Sequence, residues 1–178
     1  MFGHLAGERR VAVSLDHLWA GWRSAYVSSF EAAGTDPAEC VFCAIGTSGE
    51  PDTARGVLWQ SDLVMAVLNA YPYSPGHLLV MPLRHVSDLE ELTSDEHSAM
   101  WAAVKDAAAS LKRAYSPDGL NLGANIGRAA GAGIPAHLHV HVVPRWSGDT
   151  NFMTSVAGAR VLPEPLETTW ARLSAAWR

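Results

Sequence analysis

The chain has 178 residues, 48% apolar and 17% charged, with a net charge of −5. That is the size of one domain with a real core, and the composition excludes a disordered chain. The negative balance lacks the basic footprint of a nucleic-acid binder, although a few local cations and N–H groups still suffice for a phosphate-bearing small ligand. Two cysteines cannot build a disulfide framework. No apolar run reaches the ~20 residues that span a bilayer. The first residues, with Glu8 ahead of Arg9 and Arg10, lack a signal-peptide core, so the expected location is the cytoplasm, with no membrane partner.

In chain order, residues 1–14 read as a loose arm. Leu18, Trp19, Trp22, Tyr26 and Phe30 recur at helical spacing within 15–30. Residues 31–39 read as a loop, 40–45 as a compact apolar segment, and 46–53 as a second loop. Val57–Gln60 and Leu63–Leu68 flank Ser61-Asp62 and predict a tight β-hairpin. Pro72 and Pro75 fix the shape of the loop over 69–76. His77–Met81 reads as a buried strand stopped by Pro82. Thr93 and Glu96 form a capping box, and Met100, Val104, Ala107, Leu111 and Tyr115 predict a long helix that Pro117 ends. Leu120–Asn125 reads as a strand, 127–133 as a glycine-rich turn, His137–Val143 as the last strand closed by Pro144, and 163–177 as a terminal helix. There Trp170, Leu173 and Trp177 form an apolar stripe, for the core or for a dimer partner. Strands dominate the middle and helices do not alternate with them, which predicts an α+β fold with an antiparallel sheet and a long helix packed on it. The chain divides into an arm and helix (1–39), a central domain (40–150) and a C-terminal extension (151–178).

The informative segment is Ala136-His137-Leu138-His139-Val140-His141-Val142-Val143-Pro144. Strand side chains alternate faces, so His137, His139 and His141 share one face, spaced ~6.5–7 Å apart, and Leu138, Val140 and Val142 share the other. Three readings are open: solvated surface histidines, a metal centre, or imidazole catalysis at phosphorus. A mononuclear oxygenase-type centre wants a carboxylate beside the histidines, and neither Asp106 nor Asp118 stands at a suitable spacing. Nucleophilic imidazole needs an acceptor on its second nitrogen and donors for the phosphate oxygens.

His137-Leu138-His139-Val140-His141-Val142-Val143 resembles the triad signature of the histidine-triad (HIT) superfamily. Two further segments agree: Asn69 through Pro75-Gly76-His77 to Pro82 and His85, and Asn125-Ile126-Gly127 followed by Gly131. Residues 18–26 ahead of Cys40-Val41-Phe42-Cys43, and 143–152 after the triad, are similar to the actinobacterial diadenosine-tetraphosphate phosphorylase (ATP adenylyltransferase) branch. The resemblance implies a HIT-like fold, a homodimer, and chemistry at an α-phosphate. It implies His139 as nucleophile forming an adenylyl-histidine, with its second nitrogen donating to the His137 carbonyl. His141 and Asn125 then contact the α-phosphate. Asn69 holds the ribose or merely caps the turn before Pro72. Leu68, Phe42 and Leu63 line a base pocket or belong to the core. Arg145 is a phosphate clamp or a surface ion.

Five residues, 132–136, separate Gly131 from His137, and the glutamine of the common hydrolases is absent. That departure favours inorganic phosphate over water as acceptor, held by N–H groups of Gly131, Ala132 and Gly133. The expected substrate is therefore an adenine dinucleoside polyphosphate, cleaved with phosphate to ATP and ADP. A HIT hydrolase or phosphoramidase, or a nucleotide-binding module without catalysis, are the rival readings. Cys40 and Cys43 alone are a weak metal signal. By the resemblance, His85 and His137 complete a structural zinc site, against two reduced buried cysteines. No cofactor is expected in the chemistry itself.

Overall fold

The structure, a computed structural model, describes residues 37–47, 52–149 and 164–177. The expected N-terminal arm and the helix over 15–30 lie outside them. The described residues hold helix α1 (Val41–Gly46), strands β1 (Val57–Gln60), β2 (Val64–Leu68) and β3 (Leu78–Pro82), helix α2 (Ser94–Tyr115), strands β4 (Gly119–Ala124) and β5 (Val140–Arg145), and helix α3 (Leu166–Ala176). The strands form one antiparallel sheet in the order β1-β2-β3-β5-β4.

The β1–β2 hairpin closes as its serine predicts: Ser61 Oγ accepts from the N–H groups of Leu63 and Val64. Leu63 therefore belongs to the turn. In β2 and β3 all ten residues are buried, because both faces of the sheet are covered. Val64, Ala66, Leu68, Leu78, Val80, Leu138, Val140 and Val142 pack under α2 with Met100, Val104, Ala107 and Leu111. Met65, Val67, Leu79 and Met81 point the other way, against Cys40 and Phe42 of the α1 segment.

Helix α2 starts as its capping box dictates. Thr93 Oγ1 accepts from Glu96 N–H at 3.2 Å, and Glu96 Oε2 accepts from Thr93 N–H at 2.8 Å. The buried Glu96 also takes a bidentate bond from Arg84, at 2.8 and 2.7 Å. The helix ends at Ser116, which turns left-handed at φ 47° ahead of Pro117. The stripe on α3 serves the same chain. Leu173 is fully buried, Trp170 Nε1 donates to Val57 O, and Trp177 stacks on Trp59 with centroids 5.9 Å apart.

Several strand boundaries differ from expectation. Pro82 and Pro144 lie inside β3 and β5 rather than after them. Neither has an N–H to give, and their carbonyls accept from His137 Nε2 and Ser74 Oγ. Strand β5 starts at Val140 rather than His137. The His137 carbonyl is engaged by a side chain, His139 Nδ1, and Leu138 N–H donates to Val86 O beyond β3, so the regular ladder begins after them.

Candidate active site

Although only His141 belongs to the regular ladder, the three triad imidazoles still share one face, the α1 face of the sheet. They are not a solvated row. His137 is 1% exposed and His139 5%, and only His141 is half open.

Each ring has its tautomer set by a partner. His137 Nε2–H donates to Pro82 O at 2.9 Å, which leaves the Nδ1 lone pair facing Cys40 Sγ at 3.4 Å and Cys43 Sγ at 3.6 Å. Burial pulls its pKa down to about 4 and keeps it neutral. His139 Nδ1–H donates to His137 O at 2.8 Å, so Nε2 keeps its lone pair. Burial holds this imidazole below the ordinary histidine range, partly offset by that hydrogen bond. The His141 ring lies 5.0 Å from His139, centroid to centroid.

His141 takes its orientation from a residue that the sequence reading placed only at the start of a strand. Tyr73 N–H donates to His77 Nδ1 at 3.0 Å, so His77 carries its proton on Nε2. That proton points at His141 Nδ1, 2.9 Å away. His141 is then protonated on Nε2, a donor. Tyr73 covers the pair, tilted on His77 and stacked on His141. His77 was findable by the same period-two argument, since it shares a face with Leu79, and Leu79 pairs with His141.

The structure gathers some expected residues and separates others. Asn69 Oδ1 accepts from Tyr71 N–H, the turn cap, and its Nδ2 lies 3.3 Å from His77 Nδ1, so Asn69 does reach the histidine cluster. The pairing of Gly123 with His141 and of Ala124 with Val140 carries Asn125 to the place opposite His139. Among the described residues, a Cβ at Gly123 meets nothing within 4 Å. Leu68 lies in the core under α2, on the far face of the sheet from the imidazoles. Phe42 is buried and meets His137 and His139 edge-on, beneath the triad rather than in an open base pocket. Leu63, in the hairpin turn, is partly exposed. Arg145 forms a bidentate pair with Asp149 and bonds Asn121, which answers for the surface-ion alternative. In the glycine turn, Gly131 N–H donates to Arg128 O and Ala132 N–H to Gly127 O. Two of the three donors expected to hold phosphate are thus engaged inside the turn, the first in the i→i+3 bond of the 3₁₀ turn Arg128–Ala130 and the second in a wider bond back to Gly127.

Cys40, Cys43, His85 and His137 could hold a metal ion; their donor atoms all lie within 4.8 Å of one another. A tetrahedral zinc, with bonds of ~2.3 Å to sulfur and ~2.0–2.1 Å to nitrogen, sets sulfur and nitrogen ligands about 3.5 Å apart. The cysteine–histidine separations are 3.4, 3.3 and 3.6 Å, so the residues fit such an ion. The Pro82 carbonyl on the far nitrogen of His137 is the outer-shell partner that a ligating histidine needs.

An antiparallel sheet carrying three alternating histidines, two with a main-chain or imidazole partner on Nδ1, defines a histidine-triad protein. Residues 50–148 match the HIT domain family, and the chain belongs to it. A Mycobacterium tuberculosis protein named AP-4-A phosphorylase is 47% identical over 121 residues, 68% of this chain and 62% of its own length. The chain thus spans less than two thirds of that relative. A Schizosaccharomyces pombe protein named bis(5'-nucleosyl)-tetraphosphatase [asymmetrical] is 34% identical over 52% of this chain and 50% of its own. Among solved structures, a Zn-bound histidine triad family protein from Mycobacterium smegmatis superposes with TM-score 0.63 and 30% identity, over 80% of this chain and 94% of its own.

Proposed function

We propose that the chain is a nucleotidyltransferase that cleaves diadenosine tetraphosphate with inorganic phosphate, through an adenylyl group carried on His139. One observation carries the reading: His139 Nδ1 is occupied by the His137 carbonyl, so its Nε2 keeps its lone pair, and the ring 5.0 Å away is His141 with its proton on Nε2. A neutral, oriented imidazole is the form that attacks phosphorus. His139 Nε2 bonds the α-phosphorus as the bond from phosphorus to the bridging oxygen breaks, and ATP leaves with that oxygen. His141 Nε2–H donates a hydrogen bond to the departing side. Phosphate then attacks the phosphorus, the bond to His139 Nε2 breaks, and ADP leaves. Asn125 faces the α-phosphate and Asn69 the ribose. The similarity to the phosphorylase supports this acceptor.

Zinc in the Cys40–Cys43–His85–His137 set is structural and bonds neither the phosphate nor the adenylyl group. The assembly in this reading is a cytoplasmic homodimer. Strand β4, at the edge of the sheet among the described residues and with Leu122 49% exposed, offers a side to a second copy. A second reading, in which water is the acceptor, is favoured by the two turn N–H groups already engaged. Product analysis with and without phosphate separates them. Phosphate-dependent ATP and ADP support the phosphorylase; AMP and ATP without phosphate, or two ADP, establish a hydrolase. Nucleotide binding without turnover makes the chain a binding module.

A further inference from the structure

The Cys40-Val41-Phe42-Cys43 segment does more than offer two thiols. Phe42 stands between the cysteines and is 6% exposed. Its ring lies edge-on to His137 at 5.5 Å and to His139 at 5.2 Å, centroid to centroid. His139 therefore has two described supports on this side, the Phe42 ring and the His137 carbonyl. Both adjoin the metal-ligand cluster. Phe42 is flanked by two of the ligands, and His137 is itself a third.

Neither support is held firmly by secondary structure. Helix α1 has six residues, and its N-cap Cys40 makes no side-chain capping bond. A helix this short has little stability of its own. The His137 carbonyl precedes the β3–β5 ladder, whose first pair is Val80 with Val140. Among the described residues, 137–139 are tied down by one main-chain bond, Leu138 N–H to Val86 O, by the Leu138 side chain in the core under α2, and by the His137 ring between Pro82 O and the two sulfurs. An ion bound by Cys40, Cys43, His85 and His137 joins α1, the segment after β3 and the segment before β5 into one unit.

We infer that this metal centre is the positioning device of the nucleophile. Occupancy fixes Phe42 and the His137 main chain, and these two set the ring angle and tautomer of His139. Phe42 and His137 are positioning residues in this account, which rests on His139 as the attacking group.

The test uses the full chain, zinc-loaded and after chelation, with far-UV circular dichroism to confirm the fold. Three quantities are read: the His139 tautomer from side-chain ¹⁵N–¹H correlation, AMP affinity by calorimetry, and the rate of His139 adenylylation by diadenosine tetraphosphate. The loaded chain shows a single Nδ1–H tautomer. Metal removal mixes the tautomers and slows adenylylation about 10–100-fold, as loss of an orienting shell does elsewhere. AMP affinity stays within about twofold, because ground-state binding does not need the attacking geometry. A folded, metal-free chain with one His139 tautomer and an unchanged rate overturns the inference. Phe42→Leu keeps all four ligands and covers the case in which chelation unfolds the chain. It retains metal, mixes the tautomers and lowers the rate about tenfold; an unchanged tautomer and rate in this variant overturns the inference as well. If the tautomer responds to metal but no adenylyl-histidine forms, positioning is supported and the nucleotidyl-transfer reading fails.

Discussion

His77 is the sharpest point at which to test the site. The substitution His77→Phe keeps a ring of similar volume in a position 1% exposed and removes both nitrogens. The bonds from Tyr73 N–H to Nδ1 at 3.0 Å and from Nε2–H to His141 Nδ1 at 2.9 Å disappear, with the Asn69 Nδ2 contact to Nδ1 at 3.3 Å. The His77 bond then no longer holds the His141 proton on Nε2, the nitrogen that donates to the departing oxygen. Leaving a partly buried polar group without its partner costs about 1–3 kcal/mol, which is roughly 5- to 150-fold in rate if the loss falls on the transition state. The expected result is a fall of that size in the single-turnover rate of His139 adenylylation, followed by intact-protein mass spectrometry. AMP affinity changes by less than about threefold, since His77 touches no nucleotide in this reading. A folded His77→Phe variant with a wild-type adenylylation rate refutes the assignment of His77 as the residue that orients His141. In that case His141 is set by some other contact.

The remaining predictions concern the nucleophile and the frame around it. His139→Ala abolishes adenylyl-protein formation while AMP still binds, measured by mass spectrometry and calorimetry; a labelled adduct elsewhere in the chain overturns the choice of nucleophile. Arg84, with two bonds to the Glu96 carboxylate, holds it at about 2, against an ordinary 4.5. A depressed folded value means stability present above the unfolded pKa and lost as pH falls toward the folded one. Glu96→Gln should therefore cost about 1.5–3 kcal/mol near neutrality, and its deficit in urea denaturation should shrink as pH drops from 4.5 to 2. Gly76 has φ +84°, and a Cβ there comes within 2.8 Å of Leu111 Cδ2. Gly76→Ala is expected to destabilise by about 1–3 kcal/mol and to loosen the His77 loop, seen as a lower melting temperature. Leu173 is fully buried against the sheet core. Leu173→Ala should lose about 2–5 kcal/mol, and a change below about 0.5 kcal/mol in chemical denaturation contradicts the packing of α3.

Local chemistry made much of this protein legible before any coordinates. The capping box at Thr93 and Glu96, the Ser61 turn and the 3.6-residue stripe of α2 depend on neighbours within a turn or two. They appear where the pattern puts them. The triad is legible for the same reason: alternation is a property of extended backbone, and it holds for His137 and His139 although the ladder starts only at Val140. Long-range partners decided the rest. That Leu68 joins the core and Phe42 lies under the nucleophile depends on which sheet face α2 and α1 cover, and no residue in either segment encodes that alone. The pairing of His77 with His141 spans 64 positions and exists because β3 lies beside β5. The same adjacency brings His85 to His137, and the packing of the α1 segment on that face brings Cys40 and Cys43 to both. Arg145 and the glycine turn could be read for phosphate in one dimension; in three dimensions Asp149, Asn121 and the turn carbonyls were nearer. A side chain's partners in sequence are settled by bond geometry, whereas its partners in space are settled by how the whole sheet buries its two faces.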